Sequence, residues 1–254
     1  APGEYAKIML PELTFPYLIP GQEVLLDDGK IHLKIVEKAE NMAENGGENT
    51  QGKRYFAKVL WGGLLKSRKS VALPGAKIYP PTLTNSDLAN IKIAKEMGVT
   101  GVMQPFVRDH SDLECVKEAL REAGAEDIRL FAKIENMDGV RKLEKLLPAA
   151  DEIVIARGDL GNAVHLWDLP GVQRQISEKC RAAGKPFMVV TQMLASMERS
   201  PVPTRAEVND IFHAVMDGAA SIMVTGETAV GDYPVEVIRY MVNTVRSAEK
   251  KENR

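Results

Sequence analysis

Two spacings of apolar residues divide the chain. Up to about residue 75 the apolar positions fall in short, strand-like runs. Glu23-Val24-Leu25-Leu26 and Ile31-His32-Leu33-Lys34-Ile35-Val36 flank Asp27-Asp28-Gly29-Lys30, a composition that favours a hairpin turn. A loop of Asn, Glu and Gly follows from Asn41 to Gly52, then another strand-like run from Tyr55 to Trp61. Gly62-Gly63 and Pro74-Gly75 punctuate the exit, and Lys66, Arg68 and Lys69 lie in a basic connector. Residues 1–75 are expected to form a small β domain.

From Thr84 the period lengthens to that of helices. Thr84 with Asp87 opens a helix that Gly98 closes, and Val102 to Val107 follows as a strand. Ser111 with Glu114 reads as a capping box. Leu113, Val116, Leu120 and Ala123 form the apolar stripe behind it, and Gly124 is the stop. Strand Ile128 to Ile134, helix Val140 to Leu147 and strand Glu152 to Ala156 come next. Helix Val172 to Ala183, strand Phe187 to Thr191 and helix Arg205 to Met216 continue the alternation. Strand Ser221 to Val224 and a helix from Pro234 to about Lys250 end it. The strands are short and apolar throughout, as strands covered on both faces are. The alternation therefore predicts a parallel sheet in an α/β fold. Five strands are expected, ending near Val107, Ile134, Ala156, Thr191 and Val224. A (β/α)8 barrel needs eight, whereas an open doubly wound sheet needs no more than these, and periodicity leaves both open.

Composition narrows the function more than the fold. The 254 residues, 44% of them hydrophobic, suffice for a sizeable core. With 33 basic and 35 acidic side chains, the chain has no basic field for nucleic acid, and 6% aromatics disfavour base stacking. Cys115 and Cys180 are too few for a disulfide scaffold and read as small buried thiols. His32, His110, His165 and His213 are scattered, without the spacing of a zinc site. Met188, Met193, Met197, Met216 and Met223 read mostly as core filler. No apolar run reaches the roughly 18 residues of a membrane span. Ala1 to Phe15 lacks the pattern of a signal peptide, so the expected location is the cytoplasm.

Ligand sites of parallel α/β folds lie at the C-terminal strand ends. Standing there are Lys133, Glu135 and Asn136, then Arg157, Gly158 and Asp159, then Thr191 and Gln192, then Thr225 to Thr228. Two carboxylates from adjacent strand ends can share a hard divalent cation, with water and substrate completing its shell. A lysine beside them can stabilise a transferring phosphoryl group, and Gly158 permits close backbone approach to an anion. Taken alone, Glu135 reads equally as a surface acid and Asp159 as an N-cap, and Lys133 with Glu135 as a plain ion pair. Gly226 to Gly231 is no Walker A loop, because Asp232-Tyr233 stand where Lys and Ser or Thr are needed.

At these residues the sequence resembles the pyruvate kinase family. Phe131-Ala132-Lys133-Ile134-Glu135-Asn136 is similar to its motif around a catalytic lysine and a metal-binding glutamate. Ala156-Arg157-Gly158-Asp159-Leu160-Gly161 is similar to its metal-aspartate loop. Thr191-Gln192-Met193-Leu194, Pro203-Thr204-Arg205-Ala206-Glu207, Gly226-Glu227-Thr228-Ala229 and Tyr233-Pro234-Val235-Glu236 follow in family order. Asp27-Asp28-Gly29 and Leu73-Pro74-Gly75 resemble its lid and the return to its barrel. The family usually has Ser, a phosphate contact, where Pro105 stands before Phe106-Val107-Arg108, and Ser where Thr225 stands. Asn162 to Trp167 is unlike the family stretch.

The resemblance implies a TIM (β/α)8 barrel with a small β-rich lid. Residues 1–75 would be part or most of the lid. Residues 76–254 would be the C-terminal part of the barrel, about five of eight βα units. The first three barrel strands and the family's C-terminal regulatory domain are not expected in this sequence. The implied activity is that of a phosphotransferase: phosphoenolpyruvate and ADP give pyruvate and ATP in glycolysis. Glu135 and Asp159 would hold Mg2+ or Mn2+, and Lys133 would serve the phosphoryl group in flight. Gly158, Asp159 and Thr191 would bind substrate, with Thr191 also on the route by which the enolate is protonated. The lid would exclude water from the nucleotide. Potassium is implied too, but its usual ligands lie in motifs this sequence lacks. A homo-oligomer is implied, with no nucleic-acid or membrane partner. The alternatives are an Mg2+-dependent aldolase or lyase working through a pyruvate enolate, which Pro105 favours, and a non-catalytic fragment.

Overall fold

The computed structural model describes residues 6–27, 29–39, 54–76 and 78–252. The loop expected from Asn41 to Gly52, and Asp28 of the hairpin turn, lie outside them. Contacts divide the chain into two compact units, Ala1–Pro80 and Pro81–Arg254. The Pro74-Gly75 turn lies inside the first.

The first unit is built on an antiparallel sheet of β1 (Glu23–Leu26), β2 (Ile31–Lys38), β3 (Tyr55–Trp61) and β4 (Val71–Ala72), in the order β3-β2-β1-β4. Val24, Leu26, Ile31, Leu33 and Ile35 alternate onto one face and pack with Leu18 and Leu73. The basic connector does more than the sequence suggests. Lys69 Nζ lies 2.8 Å from the Asp27 carboxylate, and the Asp27 amide donates to Ser70 O at 3.1 Å. Both contacts deliver β4, a strand the sequence reading omits, to the free edge of β1.

In the second unit the described residues form five parallel strands: β5 (Gly101–Gln104), β6 (Arg129–Ile134), β7 (Glu152–Ala156), β8 (Phe187–Val190) and β9 (Ser221–Met223). They neighbour one another in chain order, β5-β6-β7-β8-β9. Every crossover therefore advances one strand in the same direction. A doubly wound sheet reverses at a switch point; this sheet has the order of a barrel wall. Helix α1 (Asn85–Ala94) precedes β5, and α2 (His110–Glu122), α3 (Met137–Arg141), α4 (Leu143–Leu146), α5 (Arg157–Ala163), α6 (Leu169–Ala182), α7 (Arg205–Met216), α8 (Gly226–Ala229) and α9 (Pro234–Glu252) follow the strands. Ile153, Ile155 and Val189 bury one sheet face in the main core with Leu113, Leu120, Leu143, Ile176 and Ile211. Val154, Ala156 and Val190 are buried on the other, against Phe131, Met188 and Met223.

The helix starts show which local signals win. The Thr84/Asp87 capping box forms as the sequence predicts, and a second, Thr204/Glu207, opens α7 without having been read from the sequence. The Ser111/Glu114 box does not. Asp109 caps α2 instead, accepting from the Ser111 amide at 3.0 Å. A carboxylate at the positive end of the helix outcompetes a hydroxyl two residues on. The strand expected to reach Val107 stops at Gln104, because Pro105 offers no amide and Phe106 turns to φ 52°. The helix expected over Val140 to Leu147 is split into α3 and α4. Cys180 is buried, and burial pushes its thiol up to about 12, but Cys115 is exposed, against expectation. Met216 is exposed too, whereas Met193 and Met197 are fully buried.

One buried carboxylate gives the fold a pH signature. Asp112, 3% exposed on α2, accepts from Thr82 Oγ1 at 2.5 Å, from Arg108 Nη2 at 2.6 Å and from the Arg108 amide at 2.8 Å. Burial alone would raise its pKa, but the Arg108 and Thr82 bonds outweigh burial and hold it at about 2. A depressed folded pKa contributes stability above the unfolded value near 3.8, lost as pH falls toward 2. Wild type is therefore expected to lose about 2 kcal/mol of stability between pH 5 and pH 2 through this group. Urea midpoints measured across that range should show this component missing in Asp112→Asn.

Candidate functional site

The sequence-predicted residues all stand at the C-terminal edge of the parallel sheet. Lys133 is in β6, in register with Val154 of β7. Glu135 follows β6 directly and is one of the few buried carboxylates, its side chain 1% exposed. Lys133 Nζ lies 2.8 Å from Glu135 Oε1, and the Phe106 amide donates to Glu135 Oε2 at 2.7 Å. Glu135 is therefore no surface acid. It gathers an ammonium on one oxygen and the left-handed turn after β5 on the other. Asn136 completes that junction. Its Oδ1 caps α3 through the Gly139 amide at 2.9 Å, and its Nδ2 donates to Val107 O at 3.1 Å. A side chain at Gly139 would put its Cβ 2.6 Å from that same carbonyl oxygen, so glycine is needed for the approach.

On the neighbouring strand, β7 runs straight into the short helix α5 where the sequence reads as a glycine-rich loop. Ala156 is its N-cap, so Asp159 is not a cap; it sits half-buried in the first turn. The Gly158 amide donates to Thr191 Oγ1 at 2.8 Å, and Thr191 Oγ1 donates to Val190 O at 2.6 Å. Thr191 and Gln192 adopt φ 72° and 53°, both left-handed. The structure thus brings together Lys133 with Glu135, and Gly158 with Thr191, at the ends of three adjacent strands. Asp159 belongs to the same turn as Gly158.

Sequence reasoning placed Arg157 and Glu227 at strand ends but missed the contacts by which they support the site. Arg157 Nη1 donates to both oxygens of Asp210 on α7, at 2.8 and 2.6 Å, and its Nη2 donates to Thr191 O at 2.7 Å. Glu227, fully buried, accepts from the Leu194 amide at 3.1 Å and the Thr225 amide at 2.9 Å, tying the ends of β8 and β9 together. Arg157 with Asp210, Arg157 with Thr191, and Glu227 with Leu194 are tens of residues apart in sequence, so no local signal announces them.

The donor set suits a hard cation. Glu135 and Asp159 could supply carboxylate oxygens from adjacent strand ends, and two carboxylates with water and substrate oxygens are what Mg2+ takes. Among the described residues no group of three or more His, Cys, Asp or Glu side chains is placed to hold a metal by itself. A cation here would need its substrate. No helix among the described residues is long and apolar enough to cross a membrane.

A family model described as pyruvate kinase, barrel domain, matches residues 6–238. The chain is 39% identical over 233 residues to a pyruvate kinase of Bacillus licheniformis, covering 92% of this chain and 38% of the relative. It is 36% identical over 234 residues to one of Clostridium acetobutylicum, covering 92% and 47%. It is 35% identical over 247 residues to one of Chlamydia trachomatis serovar D, covering 97% and 48%. The chain thus spans about two fifths to a half of the length of these relatives. With the family model covering most of its length, the chain belongs to the pyruvate kinase family.

Proposed function

We propose that this chain forms about five of the eight βα units of a pyruvate kinase-type barrel, with part or most of a β-rich lid in residues 1–75. In a homo-oligomer of completed barrels, its site would transfer the phosphoryl group of phosphoenolpyruvate to ADP. The observation that carries this reading is the Lys133 ammonium 2.8 Å from the buried Glu135 carboxylate, at the C-terminal end of a parallel strand. The unreversed strand order supports the barrel.

In the reaction, a terminal oxygen of ADP bonds to phosphorus as the bond from phosphorus to the enol oxygen breaks. The electron pair stays on the enolate, and its methylene carbon takes up a proton to give pyruvate. Catalysis of such a transfer is mostly positioning and charge stabilisation. Lys133 stabilises the charge on the phosphoryl group in transit. Glu135 and Asp159 would hold Mg2+ or Mn2+, which when bound would supply positive charge against the negative charge that develops on the substrate. Gly158 and Thr191 receive the substrate carboxylate. In the free protein they are bonded to each other, so a carboxylate oxygen takes the place of Thr191 Oγ1 as acceptor of the Gly158 amide. Thr191 Oγ1 donates to Val190 O, so the hydroxyl must turn its proton from that carbonyl to donate to the ligand or to relay a proton toward the enolate. Potassium enters only with the completed barrel.

Pro105 favours a second reading, a lyase acting through a pyruvate enolate, because it offers neither hydroxyl nor amide to a phosphate. The chain should be assayed alone and joined to the first three βα units of a pyruvate kinase barrel, with phosphoenolpyruvate and Mg2+. Pyruvate formation that requires ADP, and appears with the completed barrel, is the expected result. Pyruvate released from a longer 2-oxo acid without ADP would establish the lyase. No turnover and no Mn2+ binding would leave a non-catalytic chain.

A further inference from the structure

We infer that Arg157, braced by Asp210, is a positioning residue that sets the carboxylate-binding end of the site by clamping Thr191. This rests on the reading above, in which Thr191 and Gly158 receive the substrate carboxylate.

The starting point is a backbone that should not hold by itself. Thr191 and Gln192 are consecutive left-handed residues, φ 72° and 53°, and a β-branched side chain is a genuine outlier there. Such a turn persists only where its surroundings over-determine it. Here they do so from two consecutive residues of α5. The Gly158 amide holds the Thr191 hydroxyl at 2.8 Å, and the Arg157 guanidinium holds the Thr191 carbonyl at 2.7 Å. The same Nη2 reaches Met193 Sδ at 2.9 Å, past the strained pair. Thr191 is thus gripped at both polar ends, and its hydroxyl cannot turn away from Gly158 without breaking one grip.

The guanidinium in turn is fixed by its other nitrogen. Nη1 meets both Asp210 oxygens, and the Arg157 side chain is only 12% exposed. Asp210 lies on α7, a helix anchored at its start by the Thr204/Glu207 capping box. The strain at the end of β8 is therefore borne by a helix that carries none of the residues proposed to touch substrate. A planar fork with two differently directed nitrogens is required. Lysine has the charge but a single point of donation, and cannot meet Asp210 and Thr191 O with the same geometry.

Arg157→Lys separates this role from a simple charge pair. In the 15N-labelled, ligand-free chain, hydrogen exchange at the Gly158 amide should accelerate at least about tenfold in the variant, the loss of one charge-assisted hydrogen bond. Amides within β7 and β8 should keep their protection. With Mn2+ present, calorimetry should show pyruvate binding about tenfold weaker and Mn2+ binding within about twofold of wild type. Asp210→Asn, which leaves Arg157 in place but loosens it, should move both readouts the same way by less. Unchanged Gly158 exchange and pyruvate affinity in Arg157→Lys would overturn the inference. So would failure of both variants to fold cooperatively, or a loss of protection spread evenly over β7 and β8, because the pair would then be a stability element only. If wild type binds no pyruvate, the carboxylate reading falls, while Gly158 exchange still decides whether Arg157 sets the turn.

Discussion

Lys133→Met, in the completed barrel, is expected to lower kcat by about two to three orders of magnitude and to change KM for phosphoenolpyruvate only a few-fold. Methionine keeps the length and apolar stem of lysine and removes the charge alone. The ground state can spare that charge better than the transition state can. In the free protein the Lys133 ammonium already has a partner in Glu135 Oε1 at 2.8 Å. During transfer, charge spreads over the equatorial phosphoryl oxygens, and a nearby ammonium gains most at that moment. Side chains that serve the transition state lower kcat and kcat/KM together, whereas those that bind substrate uniformly raise KM. A variant with KM raised a hundredfold and kcat intact would show that Lys133 mainly binds. The variant also leaves Glu135 buried without its cation, so its unfolding midpoint should be read beside the kinetics.

How much of this was legible in the sequence depends on the range of the interaction concerned. Strands such as Glu152 to Ala156 were legible because they are covered on both faces and so carry uninterrupted apolar runs. The Thr84/Asp87 cap was legible because both partners lie within one turn. Lys133, Glu135, Gly158, Asp159 and Thr191 could be listed because strand ends could be found. Asp109 against Ser111 is the marginal case: two good caps two residues apart, decided by charge. α5 was illegible. Gly158 and Gly161 argue for a loop, and what holds the helix is Arg157 reaching Asp210, 53 residues on, and Gly158 reaching Thr191, 33 residues on. β4 was illegible for the opposite reason, since two residues carry no period and are placed by Asp27. The supports of the site were hidden wherever a side chain satisfies a distant backbone group, as Glu227 does for Leu194.

Glu135→Gln is expected to weaken Mn2+ binding by at least about tenfold, and Asp159→Asn to do the same. Glutamine is the informative choice at 135. Alanine would strand the Phe106 amide, now bonded to Oε2 at 2.7 Å, and leave Lys133 facing an apolar gap. Breaking a buried ion pair in that way costs about 3–5 kcal/mol and would confuse lost folding with lost binding. Glutamine retains a carbonyl oxygen for Phe106 and removes the negative charge that a hard cation requires, but its NH2 then faces Lys133, so the variant's unfolding midpoint is read beside the affinity. Phe106 itself is held at φ 52°, so a variant that released it would betray the release by early unfolding. Lys133 sharpens the expectation further. Its ammonium lies against the same Oε1 that a divalent cation would approach, so the two positive charges compete for one oxygen. Lys133→Met should therefore leave Mn2+ affinity unchanged or raise it, while Glu135→Gln lowers it. Calorimetric titration of the three variants with Mn2+ decides the matter. Equal affinity in wild type, Glu135→Gln and Asp159→Asn would remove the metal from these carboxylates and reduce Glu135 to the buried partner of Lys133 and Phe106.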